Sequence, residues 1–107
     1  MGYMRIFRVT VRGWFHQLTD EQRERLLAQA DAHDVVSVGA FTEAGTLTYE
    51  RSLLTFTFRA QLRAEDPGAE EAVLERATDM ALAAVGTLGV GHRDVRAAAH
   101  DMASVWT

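Results

Sequence analysis

Two stretches, Phe7 to Trp14 and Leu54 to Arg63, alternate apolar and polar residues with a period of two, the signature of strands buried on one side only. In the first, Phe7, Val9 and Val11 form one set and Arg8, Thr10 and Arg12 the other. In the second, Leu54, Phe56, Phe58, Ala60 and Leu62 stand against Thr55, Thr57, Arg59, Gln61 and Arg63. A sheet made of such strands has one greasy face, which must be covered, and one polar face rich in arginine. The polar face is the natural place for function.

The amount of apolar material sets the scale of the fold. At 107 residues and 48% hydrophobic content the chain suits one domain, residues 1–107, with one core. It has no cysteine, which removes disulfides, thiolate metal sites and cysteine nucleophiles. Met1 to Arg5 lacks the apolar stretch of a secretory signal, and no run approaches the roughly 20 apolar residues of a membrane span. A cytoplasmic protein with no membrane partner is expected. The net charge of −4 argues against nucleic acid as a partner. All eleven basic residues are arginine, whose planar fork of donors holds carboxylate, phosphate or enolate oxygens more specifically than an ammonium does.

Between the two alternating stretches, Thr19 can cap a helix and Gln22 can reach back to it, which predicts an amphipathic helix over Asp20 to His33. The β-branched run Val35 to Phe41 reads as a short strand, Thr42 to Gly45 as a turn, and Thr46 to Tyr49 as a further short strand that forms a hairpin with the long one. Asp66 as cap with Pro67 at the first helical position opens a second helix, whose stripe runs Ala69, Val73, Ala77, Met80, Ala84 and Leu88, widened by Leu74, Ala81 and Val85. A last strand over Asp94 to Ala99 sends Val95, Ala97 and Ala99 one way and Arg96, Ala98 and His100 the other. The apolar tail Met102 to Trp106 is expected to dock on this subunit or a neighbour.

This order is that of an α+β, ferredoxin-like βαββαβ sandwich with an extra hairpin strand, an antiparallel sheet carrying two helices on one face. Its first and long strands are central neighbours. Arg8, Thr10, Arg12, Thr57, Arg59 and Gln61 then share the open face. That set is too polar for a dry interface, and a homodimer enclosing a partly polar cavity is expected.

The segments Phe7 to Gly13, Leu18 to Arg23 and Phe41 to Tyr49 resemble a family of short bacterial proteins from GC-rich genomes known only as a domain of unknown function. That resemblance spans nearly the whole chain and implies no reaction. The element order is also similar to that of the dimeric α+β barrel proteins, which include antibiotic-biosynthesis monooxygenases and small polyketide cyclases; this likeness implies chemistry without metal or organic cofactor.

Residue by residue, the candidate ligand-binding groups are Arg8, Arg12, Trp14, Thr57, Arg59, Gln61 and Arg96, with guanidiniums to hold oxygens and Trp14 either to stack on a flat ligand or to anchor the adjacent loop. His100, on the open face by period-two counting, is a candidate base, against a plain surface or packing role. Tyr49 is a candidate proton donor, against a rim aromatic covering the core edge. His33 fits the end of the first helix as a dipole cap. No pair of histidines has ligand spacing, so neither metal nor cofactor is expected. The functional expectation is a protein that binds an anionic or oxygen-rich small molecule, possible as a cofactor-independent cyclase- or isomerase-like enzyme of specialised metabolism. The alternative is a non-catalytic dimeric structural or accessory binding protein whose arginines pair with carboxylates across an interface.

Overall fold

The structure, a computed structural model, describes residues 5–65 and 69–102. Strand β1 (Arg5–His16) and strand β3 (Thr55–Ala64) pair antiparallel at the centre of a four-stranded sheet of order β2-β3-β1-β4, with β2 (Thr46–Tyr49) and β4 (Gly91–Asp101) at the edges. The pairings among these four strands are all antiparallel. The period-two pattern is realised side chain by side chain: Phe7, Val9, Val11, Phe15, Phe56, Phe58, Ala60 and Leu62 are all buried, while the alternate residues face outward. A one-residue slip of either strand would turn its own four core residues to water, which is why the register is firmly specified.

The helices lie over the greasy face. Helix α1 (Asp20–Ala28) starts with the expected capping box: the Thr19 hydroxyl accepts from the Gln22 amide at 3.1 Å, and the Gln22 side chain accepts from the Thr19 amide at 2.8 Å. Helix α3 (Glu70–Thr87) follows β3, and its Val73, Ala77, Ala81 and Val85 are buried with Leu26 of α1 in one core cluster. Two alanines at its centre let the helix axis approach the sheet closely. Its end is clamped by α1, whose Arg25 donates to the Leu88 carbonyl at 2.9 Å and whose Gln22 donates to the Gly89 carbonyl at 3.1 Å. These two side chains satisfy carbonyls that a helix terminus leaves free. Helix α3 starts at Glu70, after Ala69 as an N-cap without side-chain help; Asp66 and Pro67 lie outside the described residues, as does the tail beyond Met102.

The α+β class and the antiparallel sheet are as expected, but the extra strand is not formed. Val35 to Val38 make a short helix, α2, capped by Asp34, whose carboxylate accepts from the Ser37 amide at 3.3 Å and the Ser37 hydroxyl at 3.2 Å. A local side-chain cap outweighs the β preference of three valines that have no partner strand to pair with. Just beyond that segment Thr42 joins the sheet through an isolated bridge to Ala60. The first helix also ends sooner than its sequence predicts: after Ala28 the chain tightens into a 3-10 turn, Ala30–His33. At the start of β3 the burial is inverted. Leu53, at φ 56°, is buried, and Leu54 is 57% exposed, because the left-handed residue turns the chain over before the strand begins. No helix among the described residues is long and apolar enough to cross a membrane.

Candidate functional site

The open face is ordered in rungs set by the strand register. One rung reads Thr48, Thr57, Arg12, Arg96 across β2, β3, β1 and β4; the next reads Thr46, Arg59, Thr10, Ala98; a third places Gln61, Arg8 and His100 together. Over the first of these rungs lies a cleft of about 790 Å³, whose floor includes Arg12, Arg96, Arg59, Thr48 and Thr57. The 3-10 turn and the start of α2 form one wall through Asp31, Asp34 and Val35, and Trp14 stands at the end of the floor.

Arg12 and Arg96 face one another as cross-strand partners. Among the described residues neither guanidinium has a hydrogen bond or an ion pair. Like charges directly opposite on adjacent strands destabilise a sheet, so this pair works against folding. Arg59 lies diagonally from Arg12 and is held in place: its Nη1 donates to the Thr48 hydroxyl at 2.9 Å, and that hydroxyl donates to the Thr57 carbonyl at 3.4 Å. Thr48 is 4% exposed. Three guanidiniums and two hydroxyls therefore converge on one patch.

The geometry of β4 helps to shape this patch. Arg12 pairs with Arg96 but Trp14 pairs with Arg93, so two steps along β1 oppose three along β4. This bulge is accommodated by Asp94 in the left-handed region at φ 53°, a conformation that aspartate tolerates better than most residues. The bulge brings Arg93 onto the ring of Trp14, 5.3 Å from its centroid, and Trp14 stays 40% exposed. Across from the bulge, on the core side, Gly13 leaves room for the Phe56 ring.

Of the residues singled out from the sequence, Arg12, Trp14, Thr57, Arg59 and Arg96 meet at the cleft. Arg8 and Gln61 do not: they bond to each other at 3.3 Å, with Arg8 also 5.4 Å from the Phe41 ring centroid. His100 shares their rung and stands four residues along the strand from the Arg12 level, about 13 Å at strand spacing. Tyr49 borders the cleft but is 6% exposed, and its hydroxyl donates to the Leu26 carbonyl at 2.7 Å. Its ring packs edge-on against Phe15 and stacks on His33. His33, in turn, closes the 3-10 helix as its terminal basic residue, and its Nδ1–H donates to the Leu47 carbonyl at 2.8 Å, which ties that turn to β2. Thr48 escaped the sequence reading, although alternation within Thr46-Leu47-Thr48-Tyr49 places it beside Thr57 and turns Tyr49 inward.

Burial raises the pKa of Tyr49 above its ordinary value. The folded state thus holds this proton more tightly than the unfolded chain does, and its contribution is complete below pH 10 and lost as pH rises through the folded value. Tyr49→Phe is expected to cost about 1 kcal/mol at neutral pH and to flatten the fall in stability above pH 10, measured by urea unfolding at pH 7 and pH 10.5.

Among the described residues no three His, Asp or Glu side chains converge as a metal site. The family model that matches residues 1–107 is that of DUF6204, a family of unknown function. The chain belongs to this family. No curated protein and no solved structure matches the chain. The family carries no assigned activity, so the cleft itself is the guide to function.

Proposed function

We propose that the cleft on the open sheet face binds an anionic or oxygen-rich small molecule. One observation supports this above the others: the Arg12 and Arg96 guanidiniums face each other on adjacent strands, and among the described residues neither has an ion pair. An arrangement that costs stability and serves no packing role is what a binding site for a negative group requires. The volume of about 790 Å³ falls in the range of organic ligand sites and far exceeds what a simple inorganic ion fills. A ferredoxin-like reading of the fold is supported by the strand order β2-β3-β1-β4, with the helices on the opposite face leaving this one open. A cyclase- or isomerase-like activity needs a proton carrier beside the guanidiniums; the Tyr49 hydroxyl is committed to Leu26 and His100 belongs to the Arg8 rung. The function supported best is therefore binding.

The test is a thermal-shift screen with benzoate, 2-naphthoate, citrate and inorganic phosphate. At least one anion is expected to raise Tm, and Arg12→Met or Arg59→Met singly is expected to remove that response; Arg12 is exposed, so its replacement should also keep the ligand-free Tm within about 2 °C. An undiminished response in both variants refutes the assignment.

A further inference from the structure

We infer that the occupant of the cleft is a flat aromatic monocarboxylate, its carboxylate bridging Arg12 and Arg96 and its ring lying against Trp14. The inference rests on the reading of the cleft as an anion site and adds the class of molecule. Three features narrow that class.

The first is the position of Trp14 relative to the guanidinium pair. Arg12 and Trp14 are two residues apart on β1 and share the open face, so they stand about 6.6 Å apart along the strand. A carboxylate bound at the first leaves an attached ring at the level of the second. Arg93 covers Trp14 but is not part of the cleft wall, whereas Trp14 is. The cation thus holds the indole from outside the cleft while the indole's inner surface remains available. An indole fixed this way is a rigid stacking platform that loses little freedom on binding.

The second is charge. The same cleft that has arginines on its floor carries Asp31, Asp34, Glu50 and Asp94 around its edge. Asp31 sits 3.6 Å from Arg51 and Asp94 3.0 Å from Arg93, both well exposed, and Asp34 is held as the cap of α2. A polyanion such as a nucleoside triphosphate, reaching from floor to edge, meets these carboxylates. A molecule with one negative group at the floor and neutral hydroxyl or carbonyl oxygens toward the edge does not. Selection against the wrong charge is as much a part of specificity as attraction of the right one.

The third is the secondary polar equipment. Thr48 and Thr57 lie on the Arg12 rung on its β3 side, and Arg59 is fixed one rung on by Thr48. With Thr48 committed to Arg59 and the Thr57 carbonyl, it is the Thr57 hydroxyl and the remaining N–H groups of Arg59 that suit a hydroxyl or carbonyl oxygen beside the carboxylate, as in an aromatic hydroxy acid.

The experiment titrates the protein in a Trp106→Phe background, where Trp14 is the remaining tryptophan, with 2-naphthoate, 2-naphthalenemethanol, cyclohexanecarboxylate and tripolyphosphate, following binding by calorimetry and Trp14 emission. The expected result is saturable binding of 2-naphthoate with quenching of Trp14, at least tenfold tighter than each of the other three. Arg96→Met and Trp14→Leu, the latter read by calorimetry, are each expected to weaken it tenfold or more. Equal, Arg96-dependent binding of cyclohexanecarboxylate, or tighter binding of tripolyphosphate, overturns the aromatic monoanion and leaves the anion cleft standing. Naphthoate binding that ignores Arg96→Met, or no binding of any probe, overturns both.

Discussion

Replacing Gly13 with alanine is expected to lower stability by about 1–3 kcal/mol, which for a domain of this size is a fall in Tm of roughly 5–15 °C. A Cβ at this position would lie 2.4 Å from Cζ and 2.8 Å from Cε2 of Phe56, and 3.1 Å from a methyl of Val95. None of these can yield easily. Phe56 is completely buried, with its ring 5.4 Å from that of Phe15, so moving it displaces a second aromatic. Val95 sits in the β4 bulge, on the stretch between the Arg93 and Arg96 pairings. The strain is steric, so it is relieved by removing ring volume: in the Gly13→Ala background, Phe56→Leu is expected to cost less than it does alone, a coupling readable from urea unfolding of the four proteins in the cycle. Additive costs, or an unchanged Tm in the alanine variant, would mean that Phe56 does not lie beneath β1 at this point.

Gly13 also links core to site, because its neighbours Arg12 and Trp14 are the two residues that present the cleft's charge and its ring. The sheet can display them side by side only while the intervening residue leaves the Phe56 ring its space. This dependence was hidden in the sequence, where Gly13 merely follows an alternating run. What was legible there was whatever obeys a simple period. The two central strands, the α1 capping box and the α3 stripe follow from spacing alone, since burial enforces period two in a strand and a three-to-four spacing in a helix. From the same period came Arg12, Thr57, Arg59 and Arg96 on one face.

Where the structure departs from the sequence reading, a local interaction or a break in phase is responsible. Asp34 caps Val35–Val38 into a helix that β-branched composition argues against. Leu53 takes a positive φ, which exchanges the burial of Leu53 and Leu54. The β4 bulge re-phases that edge strand, so Arg93, not Asp94, meets Trp14. The cleft wall at Asp31, Asp34 and Val35 comes from a segment whose approach to the sheet depends on His33 reaching the Leu47 carbonyl, a contact between residues 14 apart with no periodic signature. Tyr49 shows the same limit: its hydroxyl is drawn to a carbonyl on α1, which only the packed arrangement brings within reach.

Arg96→Glu is expected to separate stability from binding in opposite directions. The substitution turns the Arg12–Arg96 juxtaposition into an opposite-charge cross-strand pair. Removing the repulsion and adding an attraction of an exposed kind is worth about 0.2–1 kcal/mol, so Tm should rise by a few degrees. At the same time the cleft floor loses a donor and gains a carboxylate against which an anionic ligand must be placed. Like-charge juxtaposition in a binding site costs several kcal/mol, so affinity for 2-naphthoate should fall at least 100-fold. Arg76→Glu, an exposed position on α3 away from the cleft, should leave affinity unchanged and serves as the control for net charge. Raising the salt concentration should shrink the gain in Tm, since the new pair is solvent-exposed, while the loss of binding persists. If Arg96→Glu instead lowers Tm and keeps affinity intact, the two guanidiniums do not repel one another on the cleft floor and the anion must be sought elsewhere. The opposed signs matter because they separate two roles for the same charge. A surface arginine retained for solubility changes neither quantity much, and one retained for packing lowers Tm when replaced. Only a charge that costs stability for the sake of a ligand gives a more stable protein that no longer binds.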